Sequence, residues 1–138
     1  MIRKKYYEKI FYQKDDNLFT IIIIGGSQGA NVFDTLINEV LVKLSKSCSL
    51  YVINQTSEKK AVFLKNFYKI NNIKSKVFTF DQNVYELMKQ SDLCITRAGA
   101  SSLAELSLLK IPFIAIPLPS SKDNHQYENA KYYNDKNC

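Results

Sequence analysis

The stretch LFTIIIIGGSQGANVFDTLINEVLVKL, residues 18–44, decides the fold. Leu18 to Ile24 is a continuous run rich in β-branched residues, the pattern of a strand buried on both faces. Gly25 to Gly29 is a turn, because glycines there permit positive φ and close approach of the backbone. From Ala30 to Lys46 the apolar residues Val32, Phe33, Leu36, Ile37, Val40, Leu41 and Leu44 recur at helical spacing. A strand that passes through a glycine turn into a helix is the opening unit of a parallel α/β sheet.

The rest of the chain repeats that alternation. Strands are expected at Cys48 to Ile53, Lys76 to Phe80, Asp92 to Thr96 and Pro112 to Ile116. Between them lie helices over Thr56 to Ile70, Val84 to Lys89 and Ser101 to Leu109. The first of these carries Val62, Phe63, Phe67 and Ile70 on one stripe, and the last turns Leu103, Leu106 and Leu109 inward. Pro117 to Asp123 reads as a loop and Asn124 onward as a helix. Each crossover is long enough to return to a parallel neighbour with right-handed connectivity. The expected fold is therefore α/β, an open, doubly wound, Rossmann-like parallel sheet. Its ligand belongs outside the carboxyl ends of the strands, at the switch point between the first and the fourth.

Composition narrows the function classes. At 138 residues the chain is one domain's worth. Its three cysteines, Cys48, Cys94 and Cys138, are widely separated and form no CxxC, which points to a reduced, cytoplasmic setting rather than a disulfide framework or a zinc site. With one histidine, a histidine-rich metal centre is excluded. The N-terminal residues lack the apolar core of a signal peptide, and Phe19 to Ile24 is too short to span a bilayer. The net charge of +6 comes from scattered lysines. No nucleic-acid recognition motif accompanies it, so no nucleic-acid partner is expected.

Two turns carry the chemistry. After Gly25-Gly26-Ser27-Gln28-Gly29 a helix begins, and its free N–H groups and dipole favour an anion. The same residues equally serve as a tight connection with no ligand. The spacing is neither the dinucleotide fingerprint nor a P-loop: Asn54-Gln55 stands where the fingerprint needs an acid, and no Gly-Lys-Ser/Thr follows the glycines. The second turn is RAGASSLAEL, residues 97–106. Ser102 and Glu105 have the spacing of a capping box. Alternatively, the amides of Ala100, Ser101 and Ser102 face a diphosphate while the Glu105 carboxylate, which only accepts, takes a ribose diol. Arg97 pairs with phosphate or tethers structure. His125 and Gln126 open the last helix, where they suit sugar hydroxyls or stay structural.

Taken in order, GGSQGA, SDLCITRAGASSLAEL, KIPFIAIPLP and DNHQYENA resemble the C-terminal half of the MurG glycosyltransferase family of bacterial peptidoglycan synthesis, from about Ile2 to Asn129. The resemblance implies a two-domain GT-B arrangement, of which 18–138 would be the UDP-sugar-binding α/β domain and 1–17 a lead-in segment. The family transfers N-acetylglucosamine from UDP-N-acetylglucosamine to lipid I, giving lipid II, with inversion and without metal or other cofactor. Carried over, Ser27 would face the diphosphate, and Gly99, Ala100, Ser101, Ser102, Leu103 and Ala104 would supply helix-start contacts. Glu105 would bind the ribose, Asp81 would offer backbone contacts to uracil, and Arg3 would reach the nucleotide sugar. His125 and Gln126 match a Gln-Gln pair at the sugar, with histidine in place of its first member. The usual F-I-D-D-M is Phe80-Asp81-Gln82-Asn83-Val84 here. The family's acceptor domain, membrane-facing patch and catalytic base belong to an N-terminal half absent from these residues. The last helix also stops without a cap, as a truncated piece would. The implied protein is peripheral on the inner face of the cell membrane, meets lipid I through that other domain, and turns over little or nothing as this chain alone. The alternative is a one-domain N-acetylglucosaminyltransferase subunit of the eukaryotic kind that needs a membrane partner.

Overall fold

The computed structural model describes residues 14–25, 31–119 and 121–136. Strands β1 (Phe19–Ile24), β2 (Leu50–Gln55), β3 (Lys74–Phe78), β4 (Leu93–Arg97) and β5 (Phe113–Ile116) form one sheet. Its order is β3-β2-β1-β4-β5, and every neighbouring pair is parallel. The helices are α1 (Asn31–Ser45), α2 (Glu58–Ile70), α3 (Val84–Lys89), α4 (Ala100–Leu108) and α5 (His125–Asp135). Strands are added outward from β1 through β2 to β3, and β4 and β5 are then added on the other side of β1, which puts the switch point between β1 and β4, as expected from the sequence.

The two-residue period of a strand explains why the β1 run is apolar throughout. Ile21 and Ile23 face one layer, where they join Ile37 and Leu41 of α1 and Leu64 and Tyr68 of α2. Ile22 faces the other, with Leu87 and Met88 of α3 and Leu106 of α4. Each of these isoleucines is almost wholly buried, and each burial contributes about 1.5–3 kcal/mol. Cys94 of β4 lies in the second layer, and burial pushes its thiol pKa up to about 12. Cys48 is a free, exposed thiol.

Several helix and strand details depart from the sequence pattern. On α2 the buried residues are Leu64 and Tyr68, whereas Val62, Phe63 and Ile70 are exposed. The helix is turned because Tyr68 has a buried polar partner: Asn54 Nδ2 donates to its hydroxyl at 2.7 Å. That bond gives each buried polar group a partner and allows a tyrosine to occupy the core. On α1, Ile37 and Leu41 are buried while Leu36 and Val40 face solvent. β3 lies two residues earlier than expected. Its register is set by pairing Tyr51 with Lys74, and the ladder closes where Thr56 N–H donates to Phe78 O. Phe80 is left outside the strand and exposed.

Candidate functional site

The carboxyl ends of β1 and β4 are adjacent, with Ile24 in register with Thr96. Beyond them two backbone corners meet. Gly25 has φ +103°, a conformation that L side chains rarely adopt. A Cβ built on it would lie 3.2 Å from Cγ of Arg97 and 3.5 Å from the Arg97 backbone nitrogen. The aliphatic stem of Arg97 thus packs on the bare face of this glycine. Gly25 N–H also points toward Oε1 of Gln55, at the end of β2, at 3.4 Å. Ser27, expected at a diphosphate, and Arg3, expected at the nucleotide sugar, lie outside the described residues.

The second corner is built by Ala98 and Gly99. Ala98 is fully buried, and Gly99 N–H donates to Arg97 O at 2.8 Å, tightening the turn. Helix α4 then starts at Ala100, with Gly99 as its N-cap and no side-chain cap. This corrects the capping-box alternative. Ser102 is the third residue of the helix rather than its cap, and Glu105 stands in the second turn, not the first. A glycine cap has no side chain to occupy the helix start. The N–H groups of Ala100, Ser101 and Ser102 therefore have no intrahelical acceptor and point out of the helix end. Ala100 and Ser101 are exposed and Ser102 is half-buried. Leu103 plays a different part: it is fully buried, and its N–H donates to Gly99 O at 3.1 Å. It anchors the helix start. Ala104 and Glu105 are exposed on the next turn.

Gly99 itself has φ −73° and ψ 136°, open to any residue. A Cβ there would meet nothing nearer than Ser102 Oγ at 4.0 Å. The fold does not require glycine at this position, in contrast to Gly25.

Helix α5 is tied to the same corner. Asn129 Nδ2 donates to Ala98 O at 3.0 Å, and Gln126 Oε1 accepts from Leu118 N–H at 3.0 Å. Asp123 and Asn124 are both left-handed, which turns the chain sharply into α5. His125 is exposed at the helix start, its Nε2 3.8 Å from Asp123 Oδ2. The structure thus joins the Gly25 corner, the Gly99–Glu105 segment and the start of α5 around the β1–β4 switch point.

Asp81 follows β3, an edge strand three positions from β4 in the sheet. Its side chain is committed to the loop: Oδ2 accepts from Lys76 Nζ and Oδ1 from Asn83 N–H, both at 2.8 Å. The hydrogen bond from Lys76 holds its pKa below the usual carboxylate value, against a smaller opposing effect of burial and with help from the Asn83 amide. Two positioning residues, Gln55 and Asn129, carry no site role in the sequence reading. Both bond to backbone atoms more than 29 residues distant, which local spacing does not reveal.

Residues 20–138 match the model of the glycosyltransferase family 28 C-terminal domain. The chain belongs to this family. It is 45% identical over 134 residues to the UDP-N-acetylglucosamine–N-acetylmuramyl-(pentapeptide) pyrophosphoryl-undecaprenol N-acetylglucosamine transferase of Pelagibacter ubique, covering 97% of this chain and 38% of that protein. It is 41% identical over 137 residues to the transferase of the same name from Rickettsia massiliae, covering 97% of this chain and 36% of that one. The crystal structure of Acinetobacter baumannii MurG superposes with a TM-score of 0.76 at 28% identity, over 88% of this chain and 35% of that chain. A glycosyltransferase of kitacinnamycin shares the fold, with a TM-score of 0.64 at 12% identity over 97% of this chain and 33% of its own. The family 28 chain therefore spans well under half the length of these relatives. Among the described residues, no helix is long and apolar enough to cross a membrane.

Proposed function

We propose that this chain is the donor-binding half of an inverting glycosyltransferase that moves N-acetylglucosamine from UDP-N-acetylglucosamine to lipid I, making lipid II. The observation that carries the reading is the pair of abutting corners, with an uncapped helix start beside a glycine the fold does not need. Bare backbone at Gly99 leaves space for an anion at the amides of Ala100, Ser101 and Ser102. As the bond to the anomeric carbon breaks, negative charge grows on the departing diphosphate. Amides already aimed at that position stabilise it without reorganising. Ser27 adds a hydroxyl donor from the first corner. Leu103 fixes the helix start, and the small side chain of Ala104 leaves the surface beside Glu105 open. Glu105 accepts from the two ribose hydroxyls, while the backbone at Asp81 meets the uracil. His125 and the amide nitrogen of Gln126 face the sugar hydroxyls, and Arg3 reaches the nucleotide sugar. The names of the relatives supply the acceptor class. On this reading an N-terminal acceptor domain is the partner, lipid I is met through it, and the setting is the cytoplasmic face of the membrane. The UDP-sugar domain is residues 18–138, and this chain alone turns over little lipid I.

Calorimetric titration with UDP tests the reading. Glu105→Ala removes two charge-assisted hydrogen bonds and is expected to weaken UDP at least about tenfold. Equal affinity in the two proteins would remove Glu105 from the site and the proposal with it.

A further inference from the structure

A second concavity lies on the sheet face that carries α1 and α2. Its volume is about 620 Å³, and none of its described lining residues belongs to the Gly25 or Gly99 corner. Val42, Phe63, Leu64 and Phe67 form its apolar walls. Phe63 and Phe67 stack with ring centroids 6.4 Å apart, yet Phe63 is 65% exposed. Also lining the cavity is Asn38, only 8% exposed, whose Oδ1 is buried with no hydrogen-bond partner. An orphaned buried amide oxygen costs about 1–3 kcal/mol and calls for an explanation. Rotation of the amide turns either its oxygen or its nitrogen toward the cavity. Around the opening stand Lys43, Lys46 and Lys60, and Glu39 is the acid among the described lining residues.

A pocket of this size, with apolar walls and few polar groups, has the anatomy of a small-molecule site. We propose that the α1–α2 groove binds a small anionic amphiphile: a ring or short chain between Phe63, Phe67 and Val42, one polar group on the Asn38 amide, and its anionic end at Lys43 and Lys46. The basic rim selects an anion over a neutral or cationic ligand of the same shape. A ligand donor that reaches Asn38 satisfies the buried Oδ1 that the fold leaves without a partner. This site does not rest on the donor-sugar reading, since its described walls and charges come from α1 and α2 and not from Gly25 or the Gly99–Glu105 segment.

Anilinonaphthalene sulfonate is the probe, because it combines aromatic rings, an N–H and an anionic sulfonate. Its fluorescence should rise saturably with one dye bound per chain. The double variant Lys43→Glu, Lys46→Glu should weaken the dye about tenfold. Asn38→Leu should weaken it roughly fivefold, the effect of one hydrogen bond, while raising the melting temperature because an unsatisfied buried group is gone. Phe63→Ser, at an exposed position, should also weaken it and leave the fold intact. Lys89→Glu, on α3 at the opposite face of the sheet, should change nothing. Equal dye affinity across all these variants, or fluorescence that fails to saturate, would overturn the site. So would a dimer in sedimentation that Phe63→Ser dissociates, since a second copy of the chain would then be the occupant.

Discussion

The two glycine corners at the top of the sheet look alike in sequence and differ in physical origin. Gly25 is held at φ +103° with the Arg97 stem against its bare face. A side chain there would be strained in the backbone and crowded by a neighbour. Gly99 sits in ordinary extended backbone with open space where a Cβ would go. Folding explains the first glycine and leaves the second unexplained. On the proposed reading, the second glycine answers to the ligand rather than to the fold.

The sharpest way to break this contrast is to add the same methyl group at both corners. Gly25→Ala should cost about 2 kcal/mol of stability, from left-handed strain plus the contact with Arg97. Urea denaturation would register a lower midpoint at unchanged slope. A wild-type midpoint would mean that the β1 corner relaxes freely. Gly99→Ala should shift stability by less than about 1 kcal/mol, because alanine's weaker capping and the stiffer unfolded chain offset each other. Its UDP affinity should nevertheless fall about tenfold, or 1.4 kcal/mol, as the methyl group meets the diphosphate. If Gly99→Ala bound UDP as well as wild type, no diphosphate would sit against Gly99 and the contrast between the corners would lose its functional meaning.

The smallest effect concerns the β3 edge, which serves as a contrast to both corners. The Asp81 pKa is lowered in the folded chain, chiefly by the Lys76 hydrogen bond, from a usual value of 3.8. A depressed folded value means that its stabilisation is fully present above the unfolded pKa and is lost as pH falls through the folded one. The pair is partly exposed, so it contributes under about 1 kcal/mol. Thermal melts of wild type and Asp81→Asn should differ by a small constant amount at neutral pH and converge in acid below about pH 4. A gap that widened on acidification would reverse the sign and refute the assignment.

Much of the frame was legible in the residues. The β1 run is apolar on both faces because both faces are covered, and the alternation of strand and helix predicted the switch point between β1 and β4. What escaped was set by distant partners. The inward face of α2 depends on Tyr68 meeting Asn54, a bond that apolar periodicity cannot register. Ser102 and Glu105 imitated a capping box, but the buried Ala98 and the bond from Gly99 to Arg97 start the helix three residues earlier than a Ser102 cap would. Asn129 lies within DNHQYENA, yet its role follows only from the Ala98 carbonyl that it reaches across the fold.

Nuclear magnetic resonance of the backbone amides tests the central claim most directly. Titration with UDP should shift the amides of Gly25, Ala100, Ser101 and Ser102, and titration with uridine, which lacks the diphosphate, should leave them near their free positions. Shifts of equal size with both ligands, or UDP-induced shifts confined to other parts of the sheet, would contradict a diphosphate held between the two corners.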